Sequence, residues 1–267
     1  MTSNVERLEF AKNTAREAGA LALKYFADLG SLTVRSKGVQ DMATEADVNT
    51  EAVIRDAISR SYPDDGFLGE ESSDSFAITD VPGTWIVDPI DGTQPFICGM
   101  RTWCISIAYY SQGKVEVGVV FDPSNDEMFA AIRGQGATLN GGPIEVADVS
   151  NVDEGLVSVG YSTRVTPADT LDPLGRLLRA NGMYHRSGSG ALSLAYVAAG
   201  RLIGYFEPHM CAWDMAAGEL LVCEAGGRSS NALPNDQALV DGNLIVAAAA
   251  GVYDDLKAII DGTDREL

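Results

Sequence analysis

Trp85-Ile-Val-Asp-Pro-Ile-Asp-Gly-Thr93 is the stretch that most restricts the fold and the chemistry of this chain. Its apolar start predicts a short buried strand that stops at Asp88. Asp88 and Asp91 lie three positions apart, and Pro89 and Gly92 favour turns between and after them, so both carboxylates can face one cavity. Two carboxylates at such a short distance both stay ionised only when a cation lies between them, and oxygen ligands favour Mg²⁺. Alone, the stretch is equally consistent with a plain bend, because Asp-Pro and Asp-Gly are common turn dipeptides.

The residues after Asp91 add a candidate anion site. Thr93 is predicted to cap a short helix that begins at Gln94-Pro95, since Pro suits the first helical turn. The backbone N–H groups of Gly92 and Thr93 would then face outward, and a helix N-terminus is a ready phosphate cradle.

Two further segments carry carboxylates of interest. Phe67-Leu-Gly-Glu-Glu-Ser72 reads as a strand end followed by Glu70 and Glu71, which by themselves are most often a solvated pair. Cys211-Ala-Trp-Asp-Met-Ala-Ala-Gly218 places Asp214 at a predicted helix N-terminus, where Asp usually serves as a cap.

Composition narrows the class of protein. The chain has 267 residues and a net charge of −19, which disfavours nucleic-acid binding through phosphate neutralisation. The acidic excess is consistent with solubility alone, or with carboxylates that hold cations.

The four cysteines of the chain form no C-x-x-C pair, and two histidines are too few for a histidine-rich metal centre. There is no apolar run of bilayer length and no basic leader, so we expect a cytoplasmic protein that does not enter a membrane.

Periodicity predicts two halves. Residues 1–145 are expected to place helices, over about 8–25 and 47–60, on an antiparallel sheet that carries most metal ligands. A polar loop is predicted between those helices, from Ser36 to Ala46. Residues 146–267 alternate strands and helices, which predicts an α/β half that supplies Asp214 and a wall of the substrate pocket. No flexible linker separates the halves, so they are expected to pack as one catalytic unit.

The three motifs together resemble the inositol monophosphatase family, the magnesium-dependent, lithium-sensitive phosphomonoesterases. Residues 67–71, 85–93 and 213–218 match its three motifs in order, and Glu224-Ala-Gly-Gly227 follows as in the family. The resemblance implies an α+β and α/β fold arranged as a layered αβαβα sandwich, usually a homodimer. It also implies hydrolysis of a small soluble phosphate ester by metal-activated water, with two or three Mg²⁺ per site.

The resemblance assigns roles to single residues. The implied metal ligands are Glu70, Asp88, Ile90 through its carbonyl, Asp91 and Asp214. The implied catalytic residues are Glu70, Thr93 and Asp91, with Glu70 and Thr93 orienting the attacking water. The implied substrate contacts are Gly92, Thr93, Ser189, Gly190 and Glu207. Three more positions match polar residues that flank the site in the family, namely Lys37, Asp41 and Asp47.

The substrate is less determined than the chemistry. Glu207 and the Ser187-Gly-Ser-Gly-Ala191 turn match positions beside the sugar in inositol-type members, which favours inositol 1-phosphate or a similar polyol phosphate. The turn is equally consistent with a plain helix start. Gln94-Pro95 departs from the inositol branch, and histidinol phosphate, fructose 1,6-bisphosphate and 3′-phosphoadenosine nucleotides stay open as alternatives. A cation-binding or protein-binding regulatory factor without turnover is the non-enzymatic alternative.

Overall fold

A computed structural model describes residues 3–38, 41–75 and 81–263. The helices are α1 Asn4–Phe26, α2 Glu45–Ser61, α3 Thr93–Ile97, α4 Ala168–Arg179, α5 Gly190–Ala198, α6 Ala212–Glu224, α7 Ala238–Asp241 and α8 Tyr253–Asp261. The strands are β1 Val34–Gly38, β2 Asp41–Thr44, β3 Gly66–Gly69, β4 Thr84–Asp91, β5 Cys104–Ser111, β6 Lys114–Asp122, β7 Glu127–Ile132, β8 Ala137–Leu139, β9 Gly142–Ile144, β10 Leu156–Val159, β11 Met183–His185, β12 Gly204–Met210, β13 Arg228–Ser229 and β14 Asn243–Ala248.

The larger sheet has seven strands in the order β3-β4-β5-β6-β7-β8-β9. Only the β3–β4 pair is parallel among its described pairings, so the carboxyl ends of these two strands meet at one edge. Side chains of β4 alternate between its faces: Trp85 and Val87 enter one core and Ile86 the other. The sheet is therefore apolar on both sides and has helices on both.

The smaller sheet has the order β11-β10-β12-β14-β13. β10 pairs in parallel with both β11 and β12, whereas β14 runs antiparallel to β12 and β13. This mixed sheet contains the strand that carries Glu207, and β12 lies in its centre.

The two sheets and the helices form five layers. One core joins α1 and α2 to the outer face of the larger sheet. A second core packs α5 and α6 between the two sheets, and a third joins α4 and α8 to the far face of the smaller sheet. This is the αβαβα sandwich that the motifs predicted. None of the helices in the described ranges is long and apolar enough to span a bilayer.

Two local predictions are wrong. A loop was predicted from Ser36 to Ala46, but among the residues described there β1 and β2 pair as an antiparallel ladder, with Val34 opposite Thr44, and α2 begins at Glu45. Backbone hydrogen bonds hold such a ladder without apolar side chains, so polarity alone misled the prediction. The strand at Asp88 also does not stop there, because β4 continues to Asp91.

Candidate metal and substrate site

The ladder between β4 and β5 explains how Asp88 and Asp91 come together. Asp88 is opposite Ser106 and Asp91 opposite Cys104, so three steps on β4 face two on β5. In a regular strand, residues three apart point to opposite faces. The extra residue is a bulge, which shifts the alternation by one and turns both carboxylates toward the same side.

Asp88 is almost fully buried, at 1% exposure. One of its oxygens accepts the backbone N–H of Ile90 at 2.9 Å, which fixes the carboxylate over the bulge. Burial raises the pKa of Asp88 well above its ordinary value, and nearby carboxylates, Glu70 first, raise it further.

Asp91 lies against the start of α5. It accepts the Ser189 hydroxyl at 2.5 Å and the N–H groups of Ala191 at 2.7 Å and Gly190 at 3.4 Å. The buried Cys104 thiol also points at it, 3.7 Å away. These donors stabilise the anion, but burial outweighs them and the pKa of Asp91 is raised.

Asp214 is the third residue of α6. The N-cap of that helix is Cys211, and the Asp214 carboxylate accepts the Cys211 N–H at 3.2 Å. Asp214 therefore helps to cap its own helix, and its carboxylate also lies close to those of Asp88 and Asp91. Burial, followed by the charge of Asp91, raises the pKa of Asp214 to about 7.

These three aspartates form one carboxylate cluster. Asp88, Asp91 and Asp214 each offer an oxygen, and the three atoms lie within 4.8 Å of one another. A divalent cation would remove the repulsion that raises their pKa values, and oxygen ligands in this number suit a hard ion. The residues present therefore fit a metal site.

Glu70 lies at the edge of this cluster. It follows β3 directly, and since β3 and β4 are parallel, it comes out at the same edge of the sheet as Asp88. Its charge contributes to the raised pKa values of Asp88 and Cys211, which shows that it acts on the cluster.

Thr93 is placed differently from the prediction. The N-cap of α3 is Gly92, whose φ of 98° is in the left-handed region and whose missing Cβ would lie 2.8 Å from the Thr102 carbonyl. The Thr93 hydroxyl instead lies 3.1 Å from a carboxylate oxygen of Asp47 and 3.3 Å from the Ile90 carbonyl. It was expected to cap the helix, but Gly92 takes that position and frees its side chain for the site.

Asp47 is fully buried at the start of α2. Its other oxygen accepts both the backbone N–H and the hydroxyl of Thr44, at 2.8 and 2.5 Å. Burial raises its pKa, although these donors oppose the effect. Lys37 and Asp41, predicted beside it, belong to β1 and β2, and their side chains lie outside the described part of the chain.

A small open cleft with a cavity volume of about 120 Å³ adjoins the cluster. Its lining includes Asp91, Asp214, Ser189, Gly190 and Glu207. Five of the predicted site residues thus share one cavity. Ser189 reaches it with its hydroxyl already donated to Asp91.

Glu207 is held by a residue that the sequence reasoning missed. The Tyr205 hydroxyl donates to Glu207, and both lie on β12 two positions apart, so they share a face. That spacing is a signal that could have identified Tyr205. Burial raises the pKa of Glu207 to about 8. Arg186, which also lines the cleft, is a second missed residue, and only its position next to Ser187 marks it.

Comparisons relate the chain to known proteins along nearly its whole length. The sequence model of the inositol monophosphatase family matches residues 3–261. Nus factor SuhB of Escherichia coli is 39% identical over 240 residues, which cover 89% of this chain and 90% of that protein. The crystal structure of extragenic suppressor protein suhB from Bartonella henselae matches with a TM-score of 0.87 and 33% identity, over 97% of this chain and 98% of that chain. Inositol monophosphatase from Anabaena (Nostoc) matches with a TM-score of 0.83 and 32% identity, over 97% of each chain.

Proposed function

Because the chain belongs to the inositol monophosphatase family, we propose that it is a Mg²⁺-dependent phosphomonoesterase acting on a small phosphate ester. Inositol 1-phosphate or a similar polyol phosphate is the proposed substrate. The observation that carries the proposal is the cluster of buried Asp88 and Asp91 with half-buried Asp214, which each offer an oxygen within 4.8 Å of the others. A phosphate monoester dianion repels a nucleophile, so its hydrolysis needs positive charge close to the phosphate. The carboxylates of this cluster would supply that charge by binding Mg²⁺.

Two or three Mg²⁺ ions are proposed for this site. The residues that would hold them are Glu70, Asp88, Ile90 through its carbonyl, Asp91 and Asp214. When bound, Mg²⁺ shields the phosphate dianion and stabilises the developing charge on the leaving alcohol. Asp88 is central because it is near Glu70 as well as Asp214, which supports a bridging role.

Thr93 and Glu70 are proposed to orient the attacking water. A hydroxyl has one proton to give, and Asp47 is the nearer acceptor, so Thr93 keeps lone pairs for a water. Asp47 is itself fixed by Thr44. A water oriented by Thr93 and Glu70 would attack in line without a covalent enzyme intermediate, because phosphoryl transfer depends mainly on positioning and charge.

The substrate is proposed to lie along the cleft. The backbone N–H groups of Gly92 and Thr93 adjoin Asp91 and would bind phosphate oxygens. Glu207 and the turn at Ser189 and Gly190 would contact the alcohol part, and a carboxylate such as Glu207 can accept hydrogen bonds from sugar hydroxyls.

Phosphate release from a substrate panel tests the proposal. The panel contains inositol 1-phosphate, histidinol phosphate, fructose 1,6-bisphosphate and 3′-phosphoadenosine 5′-phosphate, each with Mg²⁺ and with chelator. We expect Mg²⁺-dependent release, fastest from inositol 1-phosphate. A faster rate on another ester would correct the substrate, and release that survives chelation would refute the metal chemistry.

A non-enzymatic regulatory role is the second candidate. One observation favours it: the E. coli relative is named Nus factor SuhB. No release from any ester in the panel, with the protein folded, would support this candidate. A homodimer and inhibition by Li⁺ are further proposals, tested by light scattering and by titrating Li⁺ into the Mg²⁺ assay.

A further inference from the structure

Helix α2 carries a second buried carboxylate on the face that bears Asp47. Glu51 lies four residues after Asp47, one helical turn along, and is only 4% exposed. A glutamate so deeply buried needs partners for both oxygens, because an unpaired buried charge is costly. Its partners identify what it does.

One Glu51 oxygen binds the turn that carries Glu70. It accepts the backbone N–H of Glu71 at 2.8 Å, across 20 positions of sequence. The same oxygen occupies the space that a side chain at Gly69 would need, since a Cβ there would lie 2.3 Å from it. Residues 69–71 therefore wrap around the Glu51 carboxylate, with Glu70 between two contact points.

The other oxygen faces the surface. It accepts a hydrogen bond from Arg55 at 3.1 Å, and the Arg55 guanidinium lies over the Phe67 ring, 4.8 Å from its centre. Both oxygens are thus engaged, and Arg55 is tied to the strand that leads to Glu70. Each carboxylate oxygen of Glu51 thus has its own hydrogen-bond partner, Arg55 for one and the Glu71 N–H for the other.

We propose that Glu51 is a positioning residue that fixes Glu70 through the Glu71 backbone. The inference rests on the proposed function, in which Glu70 holds metal and water. α2 then aligns both water-orienting groups from one face: Thr93 through Asp47, and Glu70 through Glu51. Partners of this kind behind a metal ligand change metal affinity or activity by about 10–100-fold when removed.

Three variants test the proposal by steady-state kinetics. Glu51→Ala removes the acceptor, and we expect kcat to fall and the half-activating Mg²⁺ concentration to rise, each by about 10–100-fold, with the KM of the ester nearly unchanged. Glu51→Gln keeps an oxygen for the Glu71 N–H and should restore kcat to within about threefold of wild type. Arg55→Met is the matched control, which removes the outer ion pair, keeps the acceptor, and should also stay within about threefold.

Two results would overturn the proposal: Glu51→Ala with wild-type kcat and Mg²⁺ response, or Glu51→Gln as impaired as Glu51→Ala. If Glu51→Ala does not fold, Gly69→Ala replaces it, since the new methyl group must displace the carboxylate from the Glu71 N–H. Wild type inactive on every ester would refute the proposed function instead. Calorimetric titration with Mg²⁺ then decides the role of Glu51, because weaker binding by Glu51→Ala supports it and equal binding overturns it.

Discussion

Replacing Asp91 by Asn should have opposite effects on activity and on metal-free stability. Two unit charges 4.8 Å apart, the limit within which the cluster oxygens lie, repel by roughly 3 kcal/mol at an effective dielectric of about 20. Protonation already relieves part of this, as the raised pKa values of Asp91 and Asp214 indicate. We therefore expect Asp91→Asn to stabilise the metal-free protein by about 1 kcal/mol.

The two short hydrogen bonds of Asp91 survive the change. The amide oxygen of Asn can take the place of the oxygen that accepts from Ser189 and Ala191. The amide NH₂ cannot accept the Gly190 N–H, but that hydrogen bond is already long, at 3.4 Å. A gain of about 1 kcal/mol raises the Tm of a domain of this size by roughly 2–4 °C. Removal of a metal-ligating charge, in contrast, should lower kcat by at least about 100-fold and reduce the stabilisation by Mg²⁺.

The assay is thermal unfolding with chelator and with Mg²⁺, next to phosphate release. Asp122→Asn is the matched control, because Asp122 is also buried, has a raised pKa and caps the turn after β6. It should leave kcat and the Mg²⁺ response unchanged. Full activity of Asp91→Asn, or an undiminished rise of its Tm with Mg²⁺, would refute the reasoning.

Further predictions concern three other side chains. Thr93→Ala should lower kcat by about 10–100-fold while Thr93→Ser retains most of it, because only the hydroxyl bound to Asp47 is needed; equal losses in steady-state kinetics would exclude this role. Glu207→Ala should lower kcat/KM for inositol 1-phosphate by about tenfold but leave a hydroxyl-free aryl phosphate unaffected, and an equal loss on both esters would remove Glu207 from substrate selection. Burial raises the pKa of Glu219, so the folded protein favours its protonated form, and the contribution of Glu219 to stability is lost as pH rises from its unfolded pKa through its folded pKa. Urea unfolding with chelator at about pH 5 and about pH 8 should show wild type losing stability relative to Glu219→Gln, by up to about 1.4 kcal/mol per pH unit. A difference in stability that stays constant between the two pH values would contradict this.

The helices and strands were predictable from the periodicity of apolar residues, and the family was predictable from the three motifs. The resemblance carried by the three motifs implied the αβαβα sandwich, which is confirmed, as is membership of the family. The parallel β3–β4 pair also explains how the motif at residues 67–71 brings Glu70 to the same edge of the sheet as Asp88.

Long-range contacts were not predictable from local sequence. The bulge that brings Asp88 and Asp91 to one side depends on the register against β5, which no local pattern specifies. The donors to Asp91 come from α5, about 100 positions later, and Asp47 meets Thr93 across 46 positions. A strand pattern can place a residue on a face, as for Tyr205, but it cannot say which helix covers that face.

The measurement that tests the central claim most directly is anomalous diffraction from crystals soaked in Mn²⁺, which occupies oxygen sites of the Mg²⁺ type. We predict strong peaks among the carboxylates of Asp88, Asp91 and Asp214, with a ligand contact from Glu70, and disappearance of the peak beside residue 91 in Asp91→Asn. Crystals that bind no Mn²⁺ at this cluster, while the same protein hydrolyses the ester with Mg²⁺, would contradict the account.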